Sequence, residues 1–282
     1  MIVWVSYAKF RPLAPFFRLG YGAAMGNENT TKSNPQDAEE TTHFGFATVD
    51  ARDKASMVKG VFDNVATRYD LMNDLMSMGV HRLWKSTFIN HLNPQPTMKL
   101  IDVGGGTGDI AFKFLKAGGG DVCVCDINDE MLGVGRDRAI DKGILQGIEW
   151  VAGDAENLPV PDNSFDAYTT AFCIRNVTHM EKALAEARRV LKPGGHFLCL
   201  EFSQVALPLL EKIYDTYSFS ILPWIGKVVA QDEDSYRYLA ESIRRFPNQE
   251  TFASMITDAG LEQVNYQNLS GGIATIHSAW RI

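Results

Sequence analysis

The residues best placed to do chemistry in this 282-residue chain are an arginine–asparagine pair, a glycine-rich loop and a set of acids spaced behind it. Arg175 and Asn176 directly follow the apolar run "SFDAYTTAFCI". A guanidinium and a carboxamide at the carboxyl end of a buried strand are either helix-start chemistry or active-site chemistry. The loop is "LIDVGGGTGDI", in which strand, glycine turn and helix start occur in order. A dinucleotide fingerprint needs its third glycine where Asp109 stands, so that reading fails. The spacing is instead G-x-G-x-G, Gly104, Gly106 and Gly108, behind Asp102. Asp126 ends the next apolar run, 18 positions after Gly108, and Asp154 follows a third in "AGDAENLP". An acid at the first position can accept two ribose hydroxyls. One at the second can accept an adenine amine, with the backbone of Ala155 against the ring. Either acid alone reads more simply as a strand-end cap. Three acids in register on successive strands point to a nucleoside ligand without a pyrophosphate. A ligand carboxylate would fall on the N–H groups at the helix start, with Asp109 or Asp102 facing a cationic group.

The elements that must position these residues follow from periodicity. "KLIDV", "DVCVCDI", "IEWVAGDA", "SFDAYTTAFCI" and "HFLCLEFS" read as buried strands. Helical stretches separate most of them, with Gly118 and Gly143 as stops. Such alternation predicts right-handed βαβ units and a parallel sheet. The tail "LEQVNYQNLSGGIATIHSAWRI" reads as two last strands. Helical stretches at about 53–92 and 207–247 are expected to form a lid. G-x-G-x-G after an acid resembles the pattern of class I S-adenosylmethionine-dependent methyltransferases. The expected fold is therefore α/β and Rossmann-like, a seven-stranded mostly parallel sheet with helical lid insertions.

Residues 1–27 carry Lys9, Arg11 and Arg18 and no acid, which predicts a mitochondrial transit peptide. Residues 28–50 read as a linker, and 51–282 as the methyltransferase domain. The net charge of −7 excludes a duplex-nucleic-acid binder, which needs a basic face. No run of eighteen apolar residues is present, so no transmembrane helix is expected. The four cysteines, Cys123, Cys125, Cys173 and Cys199, sit in strand-like runs and read as reduced buried thiols.

Longer stretches sharpen the reading. "YDLMNDLMSMGVHRLW" and "RVLKPGGHFLCLEFS" match signature segments of the ubiquinone/menaquinone biosynthesis C-methyltransferase family. "THFGF", "CIRNVTH", "DSYRYLAESIRRFP" and "GGIATIHSAW" are similar to that family too, so the resemblance covers roughly residues 42–282. It implies S-adenosyl-L-methionine as methyl donor, no metal, and a polyprenyl benzoquinol as acceptor. It implies cofactor contacts at Gly104, Gly106, Thr107, Asp126, Asp154 and Ala155, and places Arg175 and Asn176 at the acceptor. It further implies a peripheral protein on the matrix side of the mitochondrial inner membrane, associated with other subunits of a coenzyme Q synthesis complex. Gly104 is commonly alanine in the family, Cys173 stands where glycine is usual, and Ala171 where some members carry serine.

The chemistry asks for a ring carbon made nucleophilic by loss of a phenolic proton. A sulfonium is already an excellent leaving group, so no metal is required. Arg175 is expected to stabilise the phenolate, because a guanidinium holds its proton too tightly to act as a base. Asn176 would orient the same oxygen, and Tyr69 would act as donor or relay. His179 reads as a first-turn helix residue, and Asn176 and Thr178 as helix-capping types. The insertion "YSFSILPWIGKVVA" offers walls for a polyprenyl tail or a membrane contact, and the amphipathic "DSYRYLAESIRRF" a lid contact or homodimer face. Two alternatives remain open at this point: transfer to another small aromatic acceptor, and a non-catalytic scaffold subunit.

Overall fold

Alternating apolar residues place two cores on the two faces of one sheet. In the computed structural model, which describes residues 40–65, 74, 77, 79–205 and 233–282, Leu100, Val122, Val124, Leu198 and Leu200 face one core. Their neighbours Ile101, Cys123, Cys125, Phe197 and Cys199 face the other. The period of two along each strand produces this division. All described residues fall within one unit, Glu39–Ile282.

The sheet is built from β3 (Leu100–Val103), β4 (Val122–Asp126), β5 (Ile148–Ala152), β6 (Phe165–Ala171), β7 (Leu191–Phe202), β8 (Glu262–Leu269) and β9 (Ala274–Trp280). The order across it is β5-β4-β3-β6-β7-β9-β8. The first five strands run parallel, and β9 is antiparallel to both β7 and β8. This is the seven-stranded, mostly parallel arrangement expected. Strand order reverses between β3 and β6, the place where such sheets open a crevice at their carboxyl ends.

Helices cover both faces. On the first lie α1 (Ala51–Val65), α2 (His81–Leu92), α3 (Asp109–Lys116) and α6 (Glu233–Arg245), contributing Val58, Phe88, Phe114 and Leu239. On the second lie α5 (Met180–Val190) and α7 (Gln249–Asp258), contributing Leu184 and Phe252. Between β4 and β5 runs α4 (Asp129–Asp141). Its cap is Asn128, whose Oδ1 accepts from the Met131 backbone N–H at 3.1 Å. Gly118 and Gly143 follow α3 and α4 with positive φ, the stops expected.

Two expectations change. Residues 41–50, expected as the end of a linker, form a hairpin, β1 (Thr41–Phe44) and β2 (Ala47–Asp50). It packs on α6: Phe44 stacks on Tyr238 at 4.1 Å, and the Phe46 N–H donates to Glu241 Oε2. The apolar face of α6, expected as a lid or homodimer contact, is used inside the chain, with Tyr236, Leu239, Ala240 and Ile243 buried. Tyr69, the insertion "YSFSILPWIGKVVA" and the basic N-terminus lie outside the described residues. Among the described residues no helix is long and apolar enough to cross a membrane.

Candidate active site

A cleft opens where β3, β4, β5 and β6 end. It encloses about 800 Å³ of empty space, counting its open mouth. Gly104, Asp126, Asp154 and Ala155 line it from the strand ends, and Phe172, Cys173, Asn176 and Val177 from the turn after β6. The third wall is α1, through Ala55, Val58, Lys59 and Phe62. That wall is pinned by Asn128 Nδ2 donating to Asp63 at 2.8 Å and by Lys54 Nζ donating to the Val177 carbonyl at 2.8 Å.

The glycine loop arranges its acids by backbone donors. Asp126 is recessed at the end of β4, where Oδ2 accepts from the Gly106 N–H and Oδ1 from the Asn128 N–H, both at 2.9 Å. Burial pushes its carboxyl up to about 6, against the pull of these N–H groups. Asp154 Oδ1 accepts from the Glu156 N–H at 2.9 Å, which fixes the turn that carries Ala155. Gly104 has φ +65°, and a Cβ there would overlap Cys173 Sγ across the switch point. The two family departures noted at Gly104 and Cys173 are therefore one packing unit: the thiol occupies the space beside the missing methyl.

Three loop residues sit differently from the expectation. Thr107 is buried, and its hydroxyl accepts from Arg138 at 2.7 Å, so it is not on the cleft wall. Asp109 pairs with Lys85 at 2.8 Å. Burial opposes its charge, but the Lys85 ammonium holds its carboxyl below the usual range. Asp102 lies behind the loop. Its Oδ1 accepts from Thr169 at 2.8 Å, and Oδ2 has no partner among the described residues. Burial, with the Asp126 charge adding to it, pushes Asp102 up to about 7.

The turn after β6 corrects the reading of Arg175. The chain leaves the strand through Phe172, which has φ +58°, a backbone state costly for a bulky residue. Hydrogen bonds hold it: the Phe172 N–H donates to the Leu200 carbonyl, and Arg175 donates to the Phe172 carbonyl at 2.7 Å. The result turns Arg175 inward. Its side chain is 3% exposed and its Nη1 lies 2.6 Å from Glu201 Oε1. Its Nε donates to Ser242 Oγ at 3.3 Å. Arg175 is absent from the cleft wall, whereas Asn176 lies on it. The fixed positive charge expected at the acceptor is thus paired with Glu201 and is not among the residues that line the cleft.

The start of α5 differs as well. Neither Asn176 nor Thr178 caps it with a side chain. Glu156 instead fixes the entry to the helix, accepting from the Thr178 and His179 N–H groups at 2.9 and 2.8 Å. His179 has Glu156 at 2.6 Å on Nδ1 and Glu40 at 3.0 Å on Nε2. The Glu156 hydrogen bond raises its pKa above the usual imidazole value, and both ring nitrogens are engaged by carboxylates.

The cleft thus has two recessed acids at the ends of β4 and β5 and a polar turn after β6 opposite them. The sequence model of the ubiE/COQ5 methyltransferase family matches residues 49–281. The chain belongs to the ubiE/COQ5 methyltransferase family. It is 57% identical over 243 residues to the ubiquinone/menaquinone biosynthesis C-methyltransferase UbiE of Brucella abortus, covering 85% of this chain and 90% of that one. It is 51% identical over 276 residues to the mitochondrial 2-methoxy-6-polyprenyl-1,4-benzoquinol methylase of Mus musculus, covering 86% and 84%. Among solved structures, a SAM-dependent methyltransferase from Thermotoga maritima superposes with TM-score 0.57 at 20% identity, over 80% of this chain and 100% of that one. A Haemonchus contortus phosphoethanolamine N-methyltransferase with bound S-adenosyl-L-methionine gives TM-score 0.52 at 16% identity, over 70% and 52%. Both share the fold.

Several residues of this ubiE/COQ5 member's site were missed from sequence. Glu201 lies in the quoted "HFLCLEFS" and Tyr238 in "DSYRYLAESIRRF", yet each reads locally as strand or amphipathic helix. Glu156 carried a signal, as the second acid of "AGDAENLP", two positions after Asp154.

Proposed function

We infer that this chain transfers a methyl group from S-adenosyl-L-methionine to a ring carbon of a polyprenyl benzoquinol in ubiquinone biosynthesis. The observation that carries this reading is the 51% identity to the mouse 2-methoxy-6-polyprenyl-1,4-benzoquinol methylase across most of both chains. The cleft supports it. Asp126 would hold the ribose hydroxyls, and Asp154 with the Ala155 backbone the adenine. Among the described residues these two carboxylates take their hydrogen bonds from backbone N–H groups, which suits a ligand with neutral donors and a positive centre. When bound, the donor supplies an electrophilic methyl on a sulfonium whose departure leaves a neutral thioether.

The chain's own work is to align, dry and polarise. Val58, Phe62, Phe172 and Val177 give the cleft apolar walls that exclude water and strengthen polar contacts inside it. Asn176 presents an amide where a phenolic oxygen gains charge. The phenolic proton leaves to water, because Arg175 keeps its own proton and the His179 ring nitrogens are engaged by Glu156 and Glu40. Arg175 and Glu201 act from behind by holding the Phe172–Asn176 turn in shape. Holding ring carbon and methyl in line supplies the rest of the acceleration; once the methyl is in place, the proton that carbon carried leaves to water and the oxygen regains one, which restores the aromatic quinol.

The reading includes a mitochondrial, peripheral location on the matrix side of the inner membrane, with contacts to other subunits of a quinone-synthesis complex. The basic, acid-free N-terminus and the word "mitochondrial" in the mouse relative's name support the compartment. The test of function is direct: purified protein, labelled methyl donor and a reduced short-tailed 2-methoxy-6-alkyl-1,4-benzoquinol, with the product read by mass spectrometry and NMR. A ring C-methyl is expected. Transfer to oxygen alone, or none, overturns the reading.

A further inference from the structure

Asn176 has two chemically opposite ends, and only one can face the cleft. Its Oδ1 accepts from the Tyr238 hydroxyl at 2.9 Å. Among the described residues the one hydrogen bond of the Asn176 side chain is this one, at Oδ1, which leaves Nδ2 open, and the residue stands on the cleft wall. A carboxamide can be turned about to exchange these ends. Turning it here would set Nδ2 against Tyr238, and the tyrosine's own proton would then need another acceptor. None is present: among the described residues Asn176 Oδ1 is the only partner of that hydroxyl, and Tyr238 is 4% exposed. A buried hydroxyl left unpaired is costly, so the tyrosine selects one orientation.

Tyr238 is itself fixed. It projects from α6, its ring stacks on Phe44 of the hairpin at 4.1 Å and 19°, and Ser242 one turn on receives Arg175 Nε. Burial raises the pKa of the tyrosine hydroxyl, so it stays a donor throughout the working pH range.

We propose that Tyr238 is a positioning residue that locks Asn176 as a hydrogen-bond donor into the cleft, so that the site selects an acceptor oxygen carrying negative charge. This rests on the reading that the acceptor is a phenolic ring. A donor fixed in a water-poor cleft bonds more strongly to a phenolate than to a phenol, and so it lowers the pKa of the bound ring. The hairpin and α6, remote in sequence from the glycine loop, thereby take part in acceptor activation.

The experiment uses two readouts. Tyr238→Phe keeps the stacked ring and removes only the hydroxyl. Methyl transfer to the short-tailed quinol should lose about tenfold in kcat, with the KM for the methyl donor within about twofold. The pKa of a bound alkyl-nitrophenol, titrated by absorbance, should rise by about 1 unit, the same tenfold factor. Asn176→Asp, which keeps the acceptor for Tyr238 but replaces the donor, should raise that pKa further. It provides the test should Tyr238→Phe melt below the assay temperature. Wild-type kcat and wild-type nitrophenol pKa in Tyr238→Phe, or an unshifted pKa in Asn176→Asp, overturn the proposal. A wild-type protein inert toward quinols would sink the functional reading alone, because the nitrophenol titration still reads the donor.

Discussion

The two poles of the cleft handle charge in opposite ways. At the methyl-donor pole, Asp126 and Asp154 face the cleft, and backbone N–H groups hold their carboxylates in place. At the acceptor pole, the charged residue is turned away and neutralised by Glu201, while the neutral Asn176 faces the cleft. On the proposed reading, the difference follows from what each pole would bind. A ligand that arrives with a sulfonium is matched by fixed carboxylates. A ring oxygen that becomes charged only during reaction is matched by a dipole already aimed at it, which costs no reorganisation.

If Arg175 is structural at its pole, breaking its pair should be felt first in folding. Arg175→Ala leaves the Glu201 carboxylate buried without its cation and should destabilise by about 3–5 kcal/mol, read by denaturant unfolding. A loss under 1 kcal/mol would place the guanidinium outside the framework. The contrasting variant is Asp126→Ala. It should leave unfolding little changed but weaken methyl-donor binding by about 100-fold, for loss of charged hydrogen bonds of about 1.5–3 kcal/mol each. Calorimetry checks this, and unchanged affinity would remove Asp126 from the donor pole.

The boundary between the poles offers a smaller test. Gly104→Ala forces a Cβ onto Cys173 at positive φ and should cost about 1–3 kcal/mol of stability. Adding Cys173→Gly should recover part of that loss, leaving the backbone strain. Additive losses in the double variant would mean that the two residues do not share one space.

Smallest is a pH effect confined to the donor pole. The Asp126 carboxyl is raised to about 6, so in the free protein it takes up a proton as pH falls through 6. Methyl-donor affinity should therefore be constant above about pH 7 and fall with decreasing pH below 6, by at most tenfold per unit. Asp126→Asn should flatten that fall. A fall of equal size in the variant would assign it to another group.

How much of this was legible follows the same division. Asp126 and Asp154 could be placed from sequence because a parallel strand's carboxyl end must open on the crevice, whatever the distant contacts are. The sheet order and helix stops were legible for similarly local reasons, through apolar period and glycine position. Arg175 could be placed at the crevice but not oriented. Its direction depends on the left-handed backbone at Phe172 and on Glu201 and Ser242, 26 and 67 positions away. The partner of the Thr107 hydroxyl was hidden for the same reason, since Arg138 lies 31 positions on. The hairpin escaped because strands of four residues carry too little alternation to be told from a polar linker.

The central claim is that a neutral donor, and not the arginine charge, addresses the acceptor. The most direct measurement compares kcat at saturating methyl donor for Asn176→Ala and for the double variant Arg175→Gln with Glu201→Gln. The double variant removes both charges but keeps size and hydrogen-bonding capacity. The account predicts a loss of about 100-fold or more for Asn176→Ala, as for a charge-stabilising donor, and less than about tenfold for the neutralised pair. The opposite ranking, with the neutralised pair the more damaged and Asn176→Ala nearly active, would contradict it.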